Sequence, residues 1–297
     1  MAKRLSGVLL LAVVAACSST TEGPSASDDE APPAANRGSG DVAPNATAGS
    51  RGTGSAAQGS AGYVHNLAVS RFRIGQNPAI EVNAPNLVRW RGSLGAFALD
   101  PTNGWTMAVL DNTTAIGPYV LDQAAHEEKV RSYFVSAGVP ADEIASVKTN
   151  FMFSGSGGEG KPSTPPQLES LASVLTRQVS GIPVPESYAW AKMTTEGTVD
   201  MESVYWPPVD AATVTEAVGF AEEIKRPSVH AALLSNLPGP VHSEGGVVIH
   251  VTHWSVHAKP SAVVTYDAIV DAWPQAPMRH FTADGTEFHL PHERRAQ

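Results

Sequence analysis

The stretch SYAWAKMTTEGTVDMESVYW, residues 187–206, sets two aromatic and β-branched runs on either side of Glu196-Gly197. Residues of those types favour a pleated, half-buried strand, and an X-Gly pair is the chemistry of a tight turn. Ser187–Thr195 and Thr198–Trp206 are therefore expected to pair as an antiparallel hairpin. Tyr188 and Trp190 then share one strand face. Asp200 and Glu202 also share a face, with Lys192 across the hairpin, so cross-strand charge pairing accounts for both carboxylates. Pro207 and Pro208 end the second strand.

Working outward toward the C-terminus, Asp210 is placed to cap a helix over 211–224 with Val214, Ala217, Val218 and Ala221 facing inward. Val229–Leu234 fits a strand or a helix. Val247–Ala258 and Ala262–Ala268 read as a second hairpin around Lys259-Pro260-Ser261. Two short strands are expected near His280 and Phe288, with Asp284-Gly285 turning between them.

Toward the N-terminus, Leu168–Val179 reads as a helix, and 154–166 as a loop of glycine, serine and proline. Ser146–Phe153 reads as a strand. Leu121–Ala137 has a helical apolar face of Leu121, Ala124, Ala125, Val130, Phe134 and Val135, closed by Gly138 and Pro140. Tyr63–Ile74, Leu87–Trp90 and Trp105–Leu110 read as strands. Strands outnumber helices and come as hairpins rather than in β-α-β alternation. The expected class is α+β, a mostly antiparallel sheet built from hairpins with about three helices packed on it, in one globular domain over 63–297.

Composition narrows the function. The chain has 297 residues, with 20 Lys and Arg against 29 Asp and Glu, a formal net charge of −9. A nucleic-acid binder needs a basic face, so that class is set aside. Cys17 is the only cysteine, which excludes an internal disulfide and a zinc site built from several thiolates.

That cysteine has a telling neighbourhood. Lys3 and Arg4 precede an apolar run from Leu5 to Ala16, too short to span a bilayer and of the size of a signal-peptide core. The run ends Val14-Ala15-Ala16-Cys17. These residues resemble the lipobox of bacterial lipoproteins. The resemblance implies a signal peptide over 1–16, cleavage before Cys17, and lipid on the Cys17 thiol and amino group that anchors the protein to a membrane. Ser18 in place of an aspartate favours, by the same resemblance, the outer membrane of a Gram-negative envelope. Residues 18–62 carry one large apolar side chain, Val42, and are expected to form a disordered tether. The folded domain is then extracytoplasmic.

Several motifs carry candidate chemistry. Gly155, Gly157 and Gly160 match a dinucleotide-binding spacing, and Gly155–Lys161 the start of a phosphate loop. Pro162, Pro165 and Pro166 forbid the helix start that either motif needs, so no nucleotide is expected. Eight of the ten histidines lie at or beyond residue 230: His230, His242, His250, His253, His257, His280, His289 and His292. On a strand His253 and His257 stand too far apart to share one ion, and His250 and His253 face opposite ways. A metal site then needs partners from other strands. The candidate ligands are His242, His253, His257 and His280, with zinc as the ion and Glu244 as the base of a metal-assisted hydrolase. Tyr188, Trp190, Tyr205 and Trp254 are candidate ligand-binding aromatics, with packing in the core as their plainer reading. The leading expectation is a lipid-anchored binding or interaction domain for a small molecule or an envelope protein. A metal-dependent hydrolase and a structural envelope protein are the alternatives.

Overall fold

A computed structural model describes residues 58–65, 74–111, 122–154, 167–193, 198–252, 259–270 and 277–290. The expectations for the signal peptide, Cys17, most of the tether, the glycine-rich loop, His253, Trp254, His257 and His292 lie outside the described residues.

The expected class is observed. Antiparallel strands form an eight-stranded and a four-stranded sheet, with three helices among the described residues. The strands in chain order are β1 (Ala79–Ala84), β2 (Leu87–Arg91), β3 (Gly95–Leu99), β4 (Thr106–Leu110), β5 (Ile144–Ser154), β6 (Gln167–Val179), β7 (Ile182–Met193), β8 (Val199–Tyr205), β9 (Val241–Thr252), β10 (Ser261–Val270), β11 (Arg279–Phe281) and β12 (Glu287–Phe288). The large sheet runs β1-β2-β3-β4-β8-β7-β6-β5 and the small one β12-β11-β10-β9. The β7–β8 hairpin pairs from Tyr188↔Tyr205 to Met193↔Val199, which is the pairing read from residues 187–206.

Helix α1 (Gln123–Ala137) is capped by the Asp122 carboxylate, which accepts from Ala125 N at 2.7 Å. It ends at Gly138, whose φ of 119° only glycine adopts without strain. Its buried stripe is His126, Val130 and Phe134, four residues apart, so a histidine stands where Ala124 was expected and Ala124 is exposed. Helix α2 (Ala211–Ile224) is capped by Asp210 through Thr213 N and buries Val214, Ala217 and Phe220. Helix α3 (Pro227–Asn236) resolves the ambiguity at 229–234; Pro227 in its first turn has the φ that starts a helix.

Two expected elements are corrected. At its described ends Tyr63–Ile74 is not a strand: Tyr63 forms only an isolated bridge to Trp206, and Ile74 lies outside any strand. Leu168–Val179 is strand β6, not a helix. Leu168, Leu171, Ala172, Leu175 and Val179 do recur with helical spacing, but from Ser173 onward burial alternates, and Ser173, Leu175, Arg177 and Val179 are all nearly inaccessible, as is Leu171. Ser173 and Arg177 sit on the buried face because each has partners there. Ser173 Oγ meets Thr149 Oγ1 and His126 Nδ1, each at 2.6 Å. Arg177 donates to Glu143, Ser187, the Pro207 carbonyl and Ser60. Ser180 and Gly181, both with positive φ, then close β6 onto β7 as a two-residue turn.

Boundaries also move: β7 opens at Ile182 rather than Ser187, and β9 at Val241 rather than Val247. Ser261 pairs with Thr252, so it opens β10 rather than lying in the turn. Residues 60 and 63, at the expected junction of tether and domain, form backbone bridges to Val209 and Trp206.

Strand β7 joins two cores. Its first half, Ile182 and Val184, packs with α2 and the inner face of the small sheet around Ile249, Tyr266 and Phe281. Its second half, Ala189, Ala191 and Met193, packs beneath Val130 and Phe134 of α1. Glu186 lies on β7 between these two halves.

Candidate metal centre

Three adjacent strands of the small sheet bring together His250 of β9, Asp267 of β10 and His280 of β11. One ligand atom from each lies within 4.8 Å of the others. His280 is the direct cross-strand partner of Asp267, and its Nδ1 donates to Asp267 Oδ1 at 2.9 Å. His250 stands opposite Val263, and Asp267 opposite Gly246. The two side chains lean toward each other along the sheet, and His250 Nε2 lies 3.2 and 3.1 Å from Asp267 Oδ1 and Oδ2. Thr265 Oγ1 donates to Asp267 Oδ1 at 2.7 Å and fixes that lean.

The backbone makes room for the arrangement. The β9–β10 register skips Gly245 between Asp267↔Gly246 and Ala268↔Glu244, which is a β-bulge. A Cβ on Gly245 would lie 3.0 Å from the Cβ of Asp267, and Gly246 has a φ of 81°. Both glycines are therefore required by the geometry.

The fourth member comes from the large sheet. Glu186 Oε1 accepts from His250 Nδ1 at 2.5 Å, and Oε2 accepts from the backbone N–H of Val251 at 3.2 Å. The His250 and His280 rings meet edge to face at 4.4 Å. The His250 side chain is 2 % exposed and Asp267 8 %, while Glu186 keeps 25 %.

Electrostatics follow from this packing. Burial opposes charge on His250, but hydrogen bonds to Asp267 and Glu186 outweigh it and raise the imidazole to about 9. Burial likewise opposes charge on Asp267, and hydrogen bonds from His250 and His280 hold its carboxyl down at about 2. Both nitrogens of His250 face carboxylates, so without an ion both carry protons.

The same atoms suit a metal. Two imidazoles and a carboxylate are a donor set for zinc and its neighbours. Around a tetrahedral ion at ~2.0–2.1 Å from each ligand, donor atoms stand about 3.3 Å apart. His250 Nε2 and His280 Nδ1 stand 3.2 and 2.9 Å from the shared Asp267 Oδ1, close to that edge. Thr265 and Glu186 supply the outer hydrogen bonds that orient metal ligands. The His250, Asp267 and His280 group could therefore hold a metal ion.

Of the sequence candidates, His280 belongs to this group. His242 is exposed on β9 and is not part of it. Glu244, the expected base, is engaged elsewhere: it accepts from the Tyr266 hydroxyl, and His230 Nε2 lies 2.8 Å from it. Glu202 is also corrected. Lys192 reaches Asp200 at 3.6 Å, but Glu202 is buried against His65 Nε2 at 3.0 Å and accepts from the Tyr133 hydroxyl. It is a core carboxylate rather than a surface pair.

The aromatic candidates divide. Tyr188 and Trp190 are half-buried on the sheet face opposite α1, and Trp105 Nε1 donates to the Tyr188 hydroxyl at 3.2 Å. Tyr205, the cross-strand partner of Tyr188, is buried, so it offers a ligand little surface.

Asp267 and Glu186 were missed as site residues, and His250, counted among the C-terminal histidines, was not chosen as a ligand. The available signal was the alternation in Val247–Thr252 and Val263–Val270, which interrupts apolar strands with His250 and Asp267 on faces otherwise filled by Val, Thr and Ile. Among the described residues no helix is long and apolar enough to cross a membrane. Comparison of the chain with protein-family models, with curated proteins and with solved structures found no match.

Proposed function

We propose that this is an extracytoplasmic lipoprotein, held to a bacterial envelope membrane through lipid on Cys17, whose domain binds a divalent transition metal, zinc first, at His250, Asp267 and His280. The observation that carries the metal reading is the convergence of those three donors from β9, β10 and β11, with Glu186 behind His250. The lipobox sequence Val14-Ala15-Ala16-Cys17 supports the anchor.

Burial of all three donors favours an ion that is held over one that turns over substrate, and Glu244 is committed to Tyr266 and His230. Binding is therefore preferred to the hydrolase reading. When bound, zinc would supply a positive charge that ties three strands together and stabilises the folded state. His250 would offer Nε2, His280 a ring nitrogen and Asp267 a carboxylate oxygen.

The test is elemental analysis of the full chain purified from membranes in detergent, before and after zinc loading and desalting. About one zinc per chain, lost in His250→Ala and His280→Ala, is expected. No retained metal in the wild type refutes the site. The anchor is tested separately: Cys17→Ser should abolish incorporation of a clickable palmitate analogue, and continued labelling refutes it.

A further inference from the structure

We propose that Glu186, supplied by the large sheet, is the positioning residue of the His250–Asp267–His280 centre, and that it selects which nitrogen of His250 faces the metal. The inference rests on the metal reading above.

Glu186 is placed for this by the strand that carries it. Strand β7 serves the α2 core with Ile182 and Val184 and the α1 core with Ala189, Ala191 and Met193. Glu186 falls between them, where β7 runs beside β9. Its carboxylate is fixed at both ends by consecutive residues of β9, through His250 Nδ1 at 2.5 Å and Val251 N at 3.2 Å. The backbone N–H of Val251 is a donor in every state of the site, so Oε2 cannot swing away without leaving it unpaired. Oε1 is thereby held against His250 Nδ1.

A carboxylate there accepts only, so it keeps the proton on Nδ1 and leaves Nε2 as the atom directed at Asp267. Nε2 is the nitrogen that the centre needs as a ligand. His280 has its Nδ1 on Asp267 Oδ1, so the two imidazoles approach the carboxylate through different ring atoms. That difference follows from His250 being gripped from behind and lying diagonally from Asp267, whereas His280 lies directly opposite it.

Glutamine is the informative replacement. Its side-chain amide keeps the shape of Glu186 but presents one acceptor and one donor to two N–H groups. If its oxygen meets Val251 N, its NH2 faces His250 Nδ1 and favours a proton on Nε2, the wrong atom for the metal. If its oxygen meets Nδ1, the NH2 faces the Val251 N–H. The first orientation thus costs the metal its ligand atom, and the second sets a donor against a donor.

The experiment is zinc titration of the full chain in detergent with a competing chromophoric chelator, for the wild type, Glu186→Gln, Glu186→Asp and His250→Ala. Glu186→Gln should retain one site per chain with affinity lower by about 10–100-fold, the usual cost of losing an outer-shell partner. Glu186→Asp should recover part of the loss. The second measurement is nitrogen NMR of the His250 ring in the zinc-loaded wild type. A protonated Nδ1 and a metallated Nε2 are expected, a readout that a merely structural glutamate would not fix.

Glu186→Gln binding zinc within twofold of the wild type, while His250→Ala does not bind, overturns the role of Glu186 and leaves the site standing. A metallated Nδ1 overturns it also, and decides the matter if Glu186→Gln fails to fold. A wild type that binds no zinc overturns the metal reading and this inference with it.

Discussion

Metal-free protein should lose stability as the pH rises through the range where His250 gives up its proton. The imidazole sits at about 9 in the folded chain against 6.5 for an ordinary histidine. At ~1.4 kcal/mol per factor of ten, holding that proton is worth of order 3 kcal/mol to the folded state. Because the folded value is raised, the contribution is complete below pH ~6.5, shrinks above it, and is gone once the pH exceeds 9. The side chain is 2 % exposed, so solvent screens little of this. The Asp267 carboxyl, held at about 2, is the same interaction met from the acid side and is not added to it. Urea unfolding in excess chelator at pH 6, 7, 8 and 9 measures the effect, and the midpoint should fall most steeply between pH 7 and 9. His250→Gln removes the titrating group and should flatten the profile. A wild-type profile level from pH 6 to 9, or a variant that keeps the slope, would refute the assignment of this proton to His250.

Other consequences of the geometry are as direct. Arg177→Leu strips the buried partners of Glu143, Ser60 and the Pro207 carbonyl, and chemical denaturation should show a loss of about 3–5 kcal/mol. Gly246→Ala forces a side chain to a φ of 81° and should cost about 1–2 kcal/mol by the same assay. Asp210→Ala removes the cap that Thr213 N donates to, and thermal unfolding should report a loss of about 1 kcal/mol. Saturating zinc should raise the wild-type unfolding temperature and leave that of His280→Ala unchanged; equal shifts would place the ion elsewhere.

The sequence was readable wherever side-chain chemistry and local geometry agreed. Asp122 with Gly138 and Asp210 before Ala211 announce helix ends, and residues 187–206 announce a hairpin. It misled at β6, where Ser173 and Arg177 look like a solvent-facing stripe. Their burial depends on His126, Glu143, Ser60 and the Pro207 carbonyl, all distant in sequence. The candidate metal centre was half readable for the same reason. His280 and the C-terminal abundance of histidine were visible, but Asp267 and Glu186 gain meaning only from a diagonal lean across a bulged ladder and from a strand of the other sheet. Spacing along one strand speaks to neither.

Residues ahead of Tyr63 alter how the domain would bear a mechanical load. Ser60 is bonded through its backbone to Val209 and through its hydroxyl to Arg177, and Tyr63 through its backbone to Trp206 and through its hydroxyl to the Ala137 carbonyl. His65 follows, buried against Glu202 of a central strand. A pull on the chain upstream of Gln58 thus enters at the middle of the large sheet, beside β8, and is shared among several bonds at once. The sheet would have to be sheared there rather than unzipped from an edge.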